Sequence, residues 1–364
     1  MVPQHQPRSP VKRATLTQIA AEIGVSAKTV SNAYRHPDQL SPALRERIFE
    51  AAIRLGFAGP DPLASGFRRG STNAIGFIYA NPLSYAFNDE AAVALLAGIS
   101  EIAEAEGFSL MLVPGTAAGE RDPAGIGGAA VDGVIAYSIG SNDPVLAYTR
   151  RRGVPLVIID QPVIAEVPHV GIDDEGAAFA AAAHLRELGH RRIAVISFAI
   201  EPRTESRTWS LAEWPDTPYT VTDRRLSGYA RALRDHVLLD RIPVVASWGS
   251  NERLGYAATQ GVLARTPGPT ALLCLSDSLA LGALAAAQDA GLRVPEDISI
   301  VGFDDIPSGR ASHPTLTTIT QSHGDKGRAA AGMLFGQLRG ERVDSARTLP
   351  ASLVVRDSTA PPPR

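Results

Sequence analysis

From Asn73 onward, short apolar segments alternate with helix-like segments, and this alternation constrains the fold more than any other feature of the sequence. The apolar segments are interpreted as eight strands, over residues 74–79, 109–113, 133–137, 155–160, 192–197, 243–246, 271–275 and 298–302. Amphipathic or alanine-rich segments between most of them are interpreted as helices, for example over 89–106, 175–188, 251–264, 278–290 and 325–338. Apolar strands that alternate with helices predict parallel sheets covered on both faces. Eight such strands favour an α/β fold with two doubly wound lobes, and a closed (β/α)₈ barrel is the alternative.

The composition is that of an ordinary globular protein. The chain has 364 residues, of which 45% are hydrophobic and 20% charged, so two or three domains are expected. No apolar run approaches the roughly 18 residues of a membrane span, and the polar start MVPQHQPRSP lacks a signal peptide's apolar stretch. The single cysteine, Cys274, excludes an internal disulfide and a cysteine-rich zinc site. These features predict no membrane contact and a cytoplasmic location.

Charge is distributed unevenly along the chain. Residues 1–70 contain ten Lys and Arg but five Asp and Glu, a net charge of +5, whereas the rest of the chain carries −8. A basic head on an acidic body indicates a nucleic-acid partner for the head alone. A solvated basic surface is the alternative, and charge by itself favours that alternative.

The head contains start and stop signals for short helices. Thr15 begins a Thr-x-x-Gln capping box, and Gly24 suits the left-handed end of the helix that follows. Ser26 is placed to cap a second helix, from 27 to about 34. Two helices joined by a tight turn in a basic segment predict an all-α helix-turn-helix domain over 15–60. A generic three-helix bundle is the alternative.

A fourth, short helix is predicted over 63–69, after an Asp-Pro pair, within a hinge and linker at 61–72. It is much shorter than the roughly 12–15 residues that an isolated helix needs. We therefore expect it to form only when something holds it. Residues 1–14 are interpreted as a flexible tail.

Several motifs occur in a fixed order along the chain. The head contains TLTQIA (15–20), GVSAKTVSNA (24–33) and LSPALRER (40–47). The body contains VDGVI (131–135), LGHRRI (188–193), GLRVPED (291–297), VGFDD (301–305) and PTLTTI (314–319). Together they resemble the LacI/GalR (lactose-repressor) family of bacterial transcription regulators over about residues 15–358, nearly the whole chain.

This resemblance implies a homodimer whose two heads bind the halves of a near-palindromic operator in double-stranded DNA, with no cofactor. It also implies a body similar to a periplasmic sugar-binding protein, with two lobes, three crossings between them and a small-molecule effector in the cleft. Lobe 1 is expected to comprise 73–171 and 322–346, lobe 2 to comprise 172–321 and 347–358, and a tail to follow at 359–364. The expected function is a ligand-responsive transcriptional regulator, and a repressor is favoured.

The resemblance also assigns roles in DNA binding, because the family's second helix lies in the major groove. Base contacts are expected from Ala27, Lys28 and Asn32. Contacts to the DNA backbone are expected from polar or basic side chains at Thr15, Thr29, Ser31, Arg68 and Arg69. Phe67 matches the leucine that the family inserts between base pairs in the minor groove. Plain helix surface is the alternative for Lys28 and Asn32, and packing on the body is the alternative for Phe67.

The cleft is expected to hold a polyhydroxylated effector such as a sugar. Arg225, ahead of a Gly-Tyr pair, matches the family's effector-binding arginine, and Asp304, after a predicted strand, matches its ligand-binding acid. An ion pair between these two residues is the alternative. Further contacts are expected in the strand-end loops, from Phe87, Asn88, Asp160, Trp248, Ser276, Asp277 and Gln321. The segment 201–224, which contains Trp209 and Trp214, is interpreted as either a lid or a surface loop.

The sequence lacks the GxxxxGK, HExxH and GxSxG motifs of common enzyme classes. The eight histidines are scattered, so no metal site is predicted, and Cys274 is expected in the core. We therefore predict no catalytic residues. An α/β sugar-phosphate enzyme with a fused basic head is the main alternative, and a secreted sugar-binding protein is a weaker one.

Overall fold

The computed structural model describes residues 14–57, 71–79, 83–114, 130–200 and 206–364. The chain divides into two compact units, Met1–Thr72 and Asn73–Arg364. The division falls where the sequence changes from short helices to alternating strands and helices.

The described part of the head contains three α-helices, α1 (Leu16–Ile23), α2 (Ala27–Arg35) and α3 (Pro42–Arg54), with a 3₁₀ turn at Pro37–Gln39. The Thr15 hydroxyl accepts a hydrogen bond from the amide of Gln18, and the Gln18 side chain accepts one from the amide of Thr15. Gly24 ends α1 with a φ of 72°. Ser26 caps α2 by accepting a hydrogen bond from the amide of Thr29. The predicted capping signals are confirmed.

The head has a small apolar core of its own. Ile19, Val30 and Ile48, one from each helix, are fully buried. Tyr34 packs edge-to-face on Phe49, with 5.0 Å between the ring centroids, which fixes the end of α2 against α3. The predicted hinge helix over 63–69 lies outside the described residues.

Lobe 1 of the body contains a parallel sheet of six strands. They are β1 (Ala74–Tyr79), β2 (Ser109–Pro114), β3 (Gly133–Tyr137), β4 (Leu156–Ile159), β5 (His169–Gly171) and β12 (Ala346–Thr348), in the spatial order β2-β1-β3-β4-β5-β12. The helices in its described residues are α4 (Leu83–Ala86), α5 (Glu90–Ala105), α6 (Pro144–Arg152) and α12 (His323–Leu338). Helices α5 and α12 can approach closely because Gly98 and Gly327 have no side chains. A Cβ on Gly98 would lie 2.2 Å, and one on Gly327 2.3 Å, from a carbonyl oxygen of the other helix.

Lobe 2 contains a sheet of five strands. They are β6 (Ile193–Ser197), β7 (Arg207–Ser210), β8 (Pro243–Ala246), β9 (Ala271–Cys274) and β10 (Ser299–Val301), in the order β10-β9-β6-β8-β7. Only β7, at the edge, runs antiparallel to its neighbour. The helices are α7 (Asp174–Glu187), α8 (Thr220–Leu233), α9 (Glu252–Leu263), α10 (Asp277–Asp289) and α11 (Pro307–Ala311), with a 3₁₀ turn at Leu239–Arg241.

Both sheets are open and doubly wound, as predicted. Strands β1, β3, β4, β6, β8, β9 and β10 are buried along their whole length, which explains why almost all of their residues are apolar. Strand order reverses between β1 and β3 in lobe 1 and between β6 and β9 in lobe 2. The two open sheets exclude the closed barrel.

The lobes are joined by a short antiparallel pair, β11 (Thr318–Gln321) and β13 (Ala351–Val354). This pair and strands β5, β7 and β12 were not predicted, because they are three or four residues long and mix polar with apolar residues. The carbonyl of Ala360 accepts hydrogen bonds from His190 Nε2 at 2.8 Å and from Ser299 Oγ at 3.0 Å. The ordered body therefore extends past the predicted boundary at 358, because the buried His190 ring takes its partner from the C-terminal segment.

Candidate functional site

A cavity in the body lies where the carboxyl ends of the two sheets face each other. Its walls include residues at or after the ends of six strands, namely Tyr79, Tyr137, Asp160, Phe198, Ser276 and Asp304. Its volume is about 140 Å³, whereas one water molecule needs roughly 10–15 Å³. The cavity therefore has room for a small molecule, at the edge where open α/β sheets bind ligands.

Aromatic rings form much of the cavity wall. The rings of Tyr79 and Tyr137 stack with 5.9 Å between centroids, and Tyr85 stacks on Tyr79 at 6.5 Å. From lobe 2, the rings of Tyr219 and Trp248 meet edge-to-face at 6.4 Å. Such walls provide flat apolar surface for the carbon face of a ligand, with hydroxyl groups at the ring edges.

Arg225 projects from α8 with its side chain only 5% exposed. Its Nε donates to Asp174 Oδ1 at 2.8 Å, and its Nη1 donates to the carbonyl of Leu275 at 2.6 Å. The guanidinium lies 3.5 Å from the ring centroid of Phe303, a cation–π contact. Arg225 Nη1 is 4.0 Å from Asp304 Oδ1, so its main ion pair is with Asp174.

Asp304 follows β10 in an uncommon conformation for a residue with a side chain, with a φ of 121°. Its Oδ1 accepts a hydrogen bond from Gln321 Nε2 at 2.6 Å. Burial raises the pKa of the Asp304 carboxyl well above its usual value, and the nearby Arg225 opposes this effect only in part.

The fully buried side chain of Lys326, on α12, connects a residue that follows β4 with the last residue of β11. Its Nζ donates to Asp160 Oδ1 and to Gln321 Oε1, each at 2.5 Å. Burial disfavours the charge of Asp160, but the Lys326 ammonium outweighs it and holds the pKa of Asp160 below its usual value. Because Gln321 in turn donates to Asp304, a polar network runs from the end of β4 to the end of β10.

His323, the first residue of α12, also lines the cavity. Its side chain is 6% exposed, and among the described residues neither ring nitrogen has a hydrogen-bond partner. The nearest acidic atom is Asp304 Oδ1, 3.8 Å from Nε2. Burial, with the Lys326 charge, lowers the pKa of His323 to about 3, so the ring is neutral.

Hydrogen bonds also cross the cleft near the cavity. Gln161 Oε1, from lobe 1, accepts from the amide of Val221 in lobe 2 at 2.8 Å. The Glu90 carboxylate accepts from the amide of Ser308 at 3.1 Å and from the Ser308 hydroxyl. These contacts hold the two lobes together in the observed arrangement.

The structure places six of the nine effector contacts expected from the sequence on the cavity wall: Arg225, Asp304, Asp160, Ser276, Gln321 and Trp248. The other three lie elsewhere. Phe87 is 63% exposed and Asn88 is also exposed, because both follow α4 on its solvent side. Asp277 is fully buried and accepts hydrogen bonds from the amide of Ile306 and from the Thr318 hydroxyl, so it stabilises the loop after β10.

Sequence reasoning missed several residues of the wall. Tyr79 and Tyr137 end strands that it predicted to the residue, so the strand-end rule that selected Asp160 would have found them. Asp89 caps α5 and accepts a hydrogen bond from the Tyr79 hydroxyl at 2.9 Å. His323 was missed because α12 was predicted to begin two residues later.

The described part of the 201–224 segment, from 206, does not place its tryptophans in the cavity. Trp209 lies in β7 and packs against the lobe 2 core, and Trp214 donates to Asp223 Oδ1 at 3.0 Å. Tyr219, from the same segment, does line the cavity.

In the head, the five residues of α2 that are expected at the DNA all keep some solvent exposure, although Ala27 also packs against the head core. Lys28 is exposed, while Ala27, Thr29, Ser31 and Asn32 are partly exposed. Lys28 and Asn32 are four residues apart and so project from one helix face. Thr15 is exposed at the start of α1. Phe67, Arg68 and Arg69 lie outside the described residues.

In the parts of the chain that the structure describes, no cluster of three or more His, Cys, Asp or Glu side chains is arranged to hold a metal ion. Cys274 is completely buried in β9, which confirms it as a core residue, and burial raises the pKa of its thiol. No described helix has the length and apolar character to cross a membrane.

The chain is similar to several known proteins. The family of periplasmic binding protein-like domains matches residues 182–359. An HTH-type transcriptional regulator of Mycolicibacterium smegmatis is 37% identical over 348 residues, which cover 90% of this chain and 92% of that protein. The structure of a LacI-family regulator from Corynebacterium glutamicum has a TM-score of 0.71 and 32% identity, covering 96% of this chain and 99% of the other. A complex of the regulator CelR with cellobiose has a TM-score of 0.65 and 28% identity, covering 95% and 100%.

The lengths shared with these proteins include both the helix-turn-helix head and the two-lobed body. At these levels of sequence identity and coverage, the similarity shows membership of the family and not only a shared fold. The chain belongs to the LacI/GalR family of HTH-type transcriptional regulators.

Proposed function

We propose that this protein is a ligand-responsive repressor, which binds a near-palindromic operator as a homodimer and changes its affinity for DNA when a small metabolite occupies the cavity. The observation that carries the proposal is the cavity itself, where buried polar side chains of both lobes converge at the carboxyl ends of their sheets. In a family of transcriptional regulators, a site so placed can couple a ligand to the arrangement of the lobes. Because a repressor binds chromosomal DNA, the proposal also implies a cytoplasmic location.

The proposed DNA contacts follow from the exposed face of α2. In this proposal Lys28 and Asn32 donate hydrogen bonds to base edges, and Ala27 contacts a base. The phosphates are bound by the hydroxyl groups of Thr15, Thr29 and Ser31. Their exposure beside the buried Val30 supports this division of α2 into a DNA face and a core face. The hinge residues Phe67, Arg68 and Arg69 keep their predicted roles in the minor groove and at phosphates.

The proposed effector is a sugar or a related polyhydroxylated molecule. In this proposal its hydroxyl groups are bound by the polar side chains of the cavity wall, namely Arg225, Asp304, Asp160, Ser276 and Gln321. Its ring packs on Trp248. Buried polar groups favour a ligand that supplies matching hydrogen bonds. The cellobiose bound to CelR supports a sugar for this chain.

The proposed mechanism is a shift between two arrangements of the lobes. Hydrogen bonds across the cleft, such as Val221 to Gln161, stabilise the observed arrangement. A ligand that binds one arrangement more tightly shifts the population toward it, and operator affinity changes by that difference in binding free energy.

We propose no catalytic activity for the cavity. Burial raises the pKa of the carboxyl groups of Asp89 and Asp304. Glycoside hydrolases use pairs of carboxyl groups for catalysis, so these two residues are the nearest match to a catalytic pair. In this chain Asp89 is committed to capping α5. Turnover of a bound sugar would contradict the proposal and restore the enzyme alternative.

Footprinting of full-length protein on genomic fragments tests the DNA-binding part. The expected result is a protected site with two symmetric halves about one helical turn apart. Protection that is equal on all sequences at moderate salt would contradict specific operator binding.

A further inference from the structure

The imidazole of His323 is a buried group that lacks hydrogen-bond partners. It lines the cavity with a side chain only 6% exposed, and both Nδ1 and Nε2 are unpartnered among the described residues. A buried polar atom without a partner is unfavourable, so native structures rarely retain one unless something else pairs with it. The position of His323 on the wall indicates that a ligand provides that partner.

The chemistry of the missing partner follows from the state of the ring. A neutral imidazole such as that of His323 has one nitrogen that can donate a hydrogen bond and one that can accept one. The groups that face it are Asp304 from the loop after β10, Asp160 from the end of β4, Lys326 from α12 and Arg225 from α8. Lys326 and Arg225 are already paired with carboxylates. A hydroxyl group, which both donates and accepts, suits either ring nitrogen.

The charges around the cavity restrict the ligand further. Lys326 pairs with Asp160, and Arg225 pairs with Asp174. Among the residues that the structure describes, neither Asp89 nor Asp304 has a close cation of its own. Asp304 is 4.0 Å from an already paired Arg225, and Asp89 accepts hydrogen bonds from a hydroxyl and from backbone amides. A phosphate or carboxylate on the ligand would be buried in this low-dielectric cavity without a free cation among the described residues to pair with it.

We infer that His323 is a ligand-contacting residue that binds a hydroxyl group, and that the cavity selects polyhydroxylated molecules without phosphate or carboxylate groups. This inference depends on the proposed function, because it assumes that the cavity is the effector site. It narrows the effector to non-anionic sugars, amino sugars and polyols, and it excludes sugar phosphates.

The test measures binding of a defined panel to the full-length protein by calorimetry at pH 7. The panel contains ribose, glucose, cellobiose, inositol and glucosamine, with ribose 5-phosphate, glucose 6-phosphate and glucuronate as anionic members. We expect the tightest binder to be non-anionic and the anionic members to bind at least 100-fold more weakly. A phosphate or carboxylate as the tightest binder would overturn the inference but not the effector site. Absence of binding by every panel member would instead contradict the proposed effector class, and the inference with it.

Variants of His323 test its own role. His323→Phe keeps a ring of similar size but removes both nitrogens, and we expect it to weaken the tightest panel member at least tenfold. His323→Gln restores a donor and an acceptor and should recover part of this loss. His184→Phe is the control, because His184 is half-buried, bonds Thr359 and does not line the cavity.

The melting temperature of the ligand-free variants separates binding from folding. His323→Phe removes an unpartnered buried polar group, so its melting temperature should equal or exceed that of the wild type. Unchanged affinity in His323→Phe, or an equal loss in the His184→Phe control, would overturn the role of His323.

Discussion

The ammonium of Lys326 lies 2.5 Å from a carboxylate oxygen of Asp160, in an ion pair almost completely shielded from solvent. Lys326 belongs to α12, the helix that follows the crossing strand β11, and Asp160 directly follows β4 of the lobe 1 sheet. The same ammonium donates to Gln321, which donates to Asp304 at the end of the lobe 2 sheet. One buried cation therefore orders polar groups on both sides of the ligand cavity.

Removal of this cation is expected to destabilise the body strongly. Lys326→Met leaves the Asp160 carboxylate buried without its partner, which typically costs about 3–5 kcal/mol. Urea unfolding followed by circular dichroism measures the change in the free energy of unfolding.

The matched control is the double variant Asp160→Asn with Lys326→Met, which removes both charges. It should recover most of the lost stability, because no uncompensated charge remains. A single variant as stable as the wild type would show that the ion pair contributes little.

His323 is expected to make stability depend on pH in a defined window. Its pKa is about 3 in the folded chain against 6.5 for an unperturbed histidine, so the unfolded state binds an extra proton between these values. This contribution is present above pH 6.5 and is lost as the pH falls toward 3. The stability of the wild type should thus drop relative to His323→Phe by up to about 1.4 kcal/mol per pH unit. If the difference in the free energy of unfolding between the two proteins stayed constant from pH 7 to pH 4, the neutral, buried state of His323 would be contradicted.

Asp304 is expected to transmit ligand binding. Asp304→Ala removes the carboxyl group that accepts from Gln321 and that faces the cavity. Ligand should then change operator affinity at least tenfold less than in the wild type, as measured by gel shift with the tightest ligand. Asp304→Asn, which keeps the size of the side chain, is the companion variant and should retain part of the response. A full response in Asp304→Ala would remove this residue from the site.

Lys28 is expected to discriminate between bases. A lysine that donates to a guanine edge contributes about 1–3 kcal/mol of discrimination at its base pair. Lys28→Ala should relax sequence preference at one position in each operator half, as measured by competition with single-base operator variants. A uniform loss on all sequences would assign Lys28 to phosphate binding instead.

Phe67 is expected to act as the minor-groove wedge. Phe67→Ala should lower specific operator affinity at least tenfold, because the kinked duplex loses the ring that opens its base step. Size-exclusion chromatography and calorimetry check that dimerisation and ligand binding persist. Equal operator affinities of the variant and the wild type in a gel-shift titration would refute the wedge.

Strong local signals made most of the fold predictable from the sequence. Strands β1, β3 and β8 begin and end at the predicted residues, since each is an apolar run between polar segments. The Thr15 capping box and the Gly24 stop depend on neighbours three or four residues away, and both appear as predicted. The crossing strands could not be predicted, because each has only four residues with a mixed polar and apolar pattern, and their partners are at least thirty positions away.

The cavity was predictable where residue type and strand end coincide, as at Asp160. His323 shows the limit: Ser322 and Asp325 form the helix cap, but glycines at 324 and 327 weaken the helical pattern, so the start was predicted too late. Asp277 shows another limit, since its side chain turns toward the Ile306 amide instead of the cavity, and only tertiary structure determines that direction.

Control of the DNA-binding head by a ligand in the body is the property to test. The most direct measurement is a gel-shift titration of an operator with full-length protein, with and without a saturating non-anionic sugar identified by calorimetry. Sequence-specific binding is expected, with an affinity that changes at least tenfold on addition of the sugar. Binding that is absent at low ionic strength, or that is identical with and without bound sugar, would contradict this expectation.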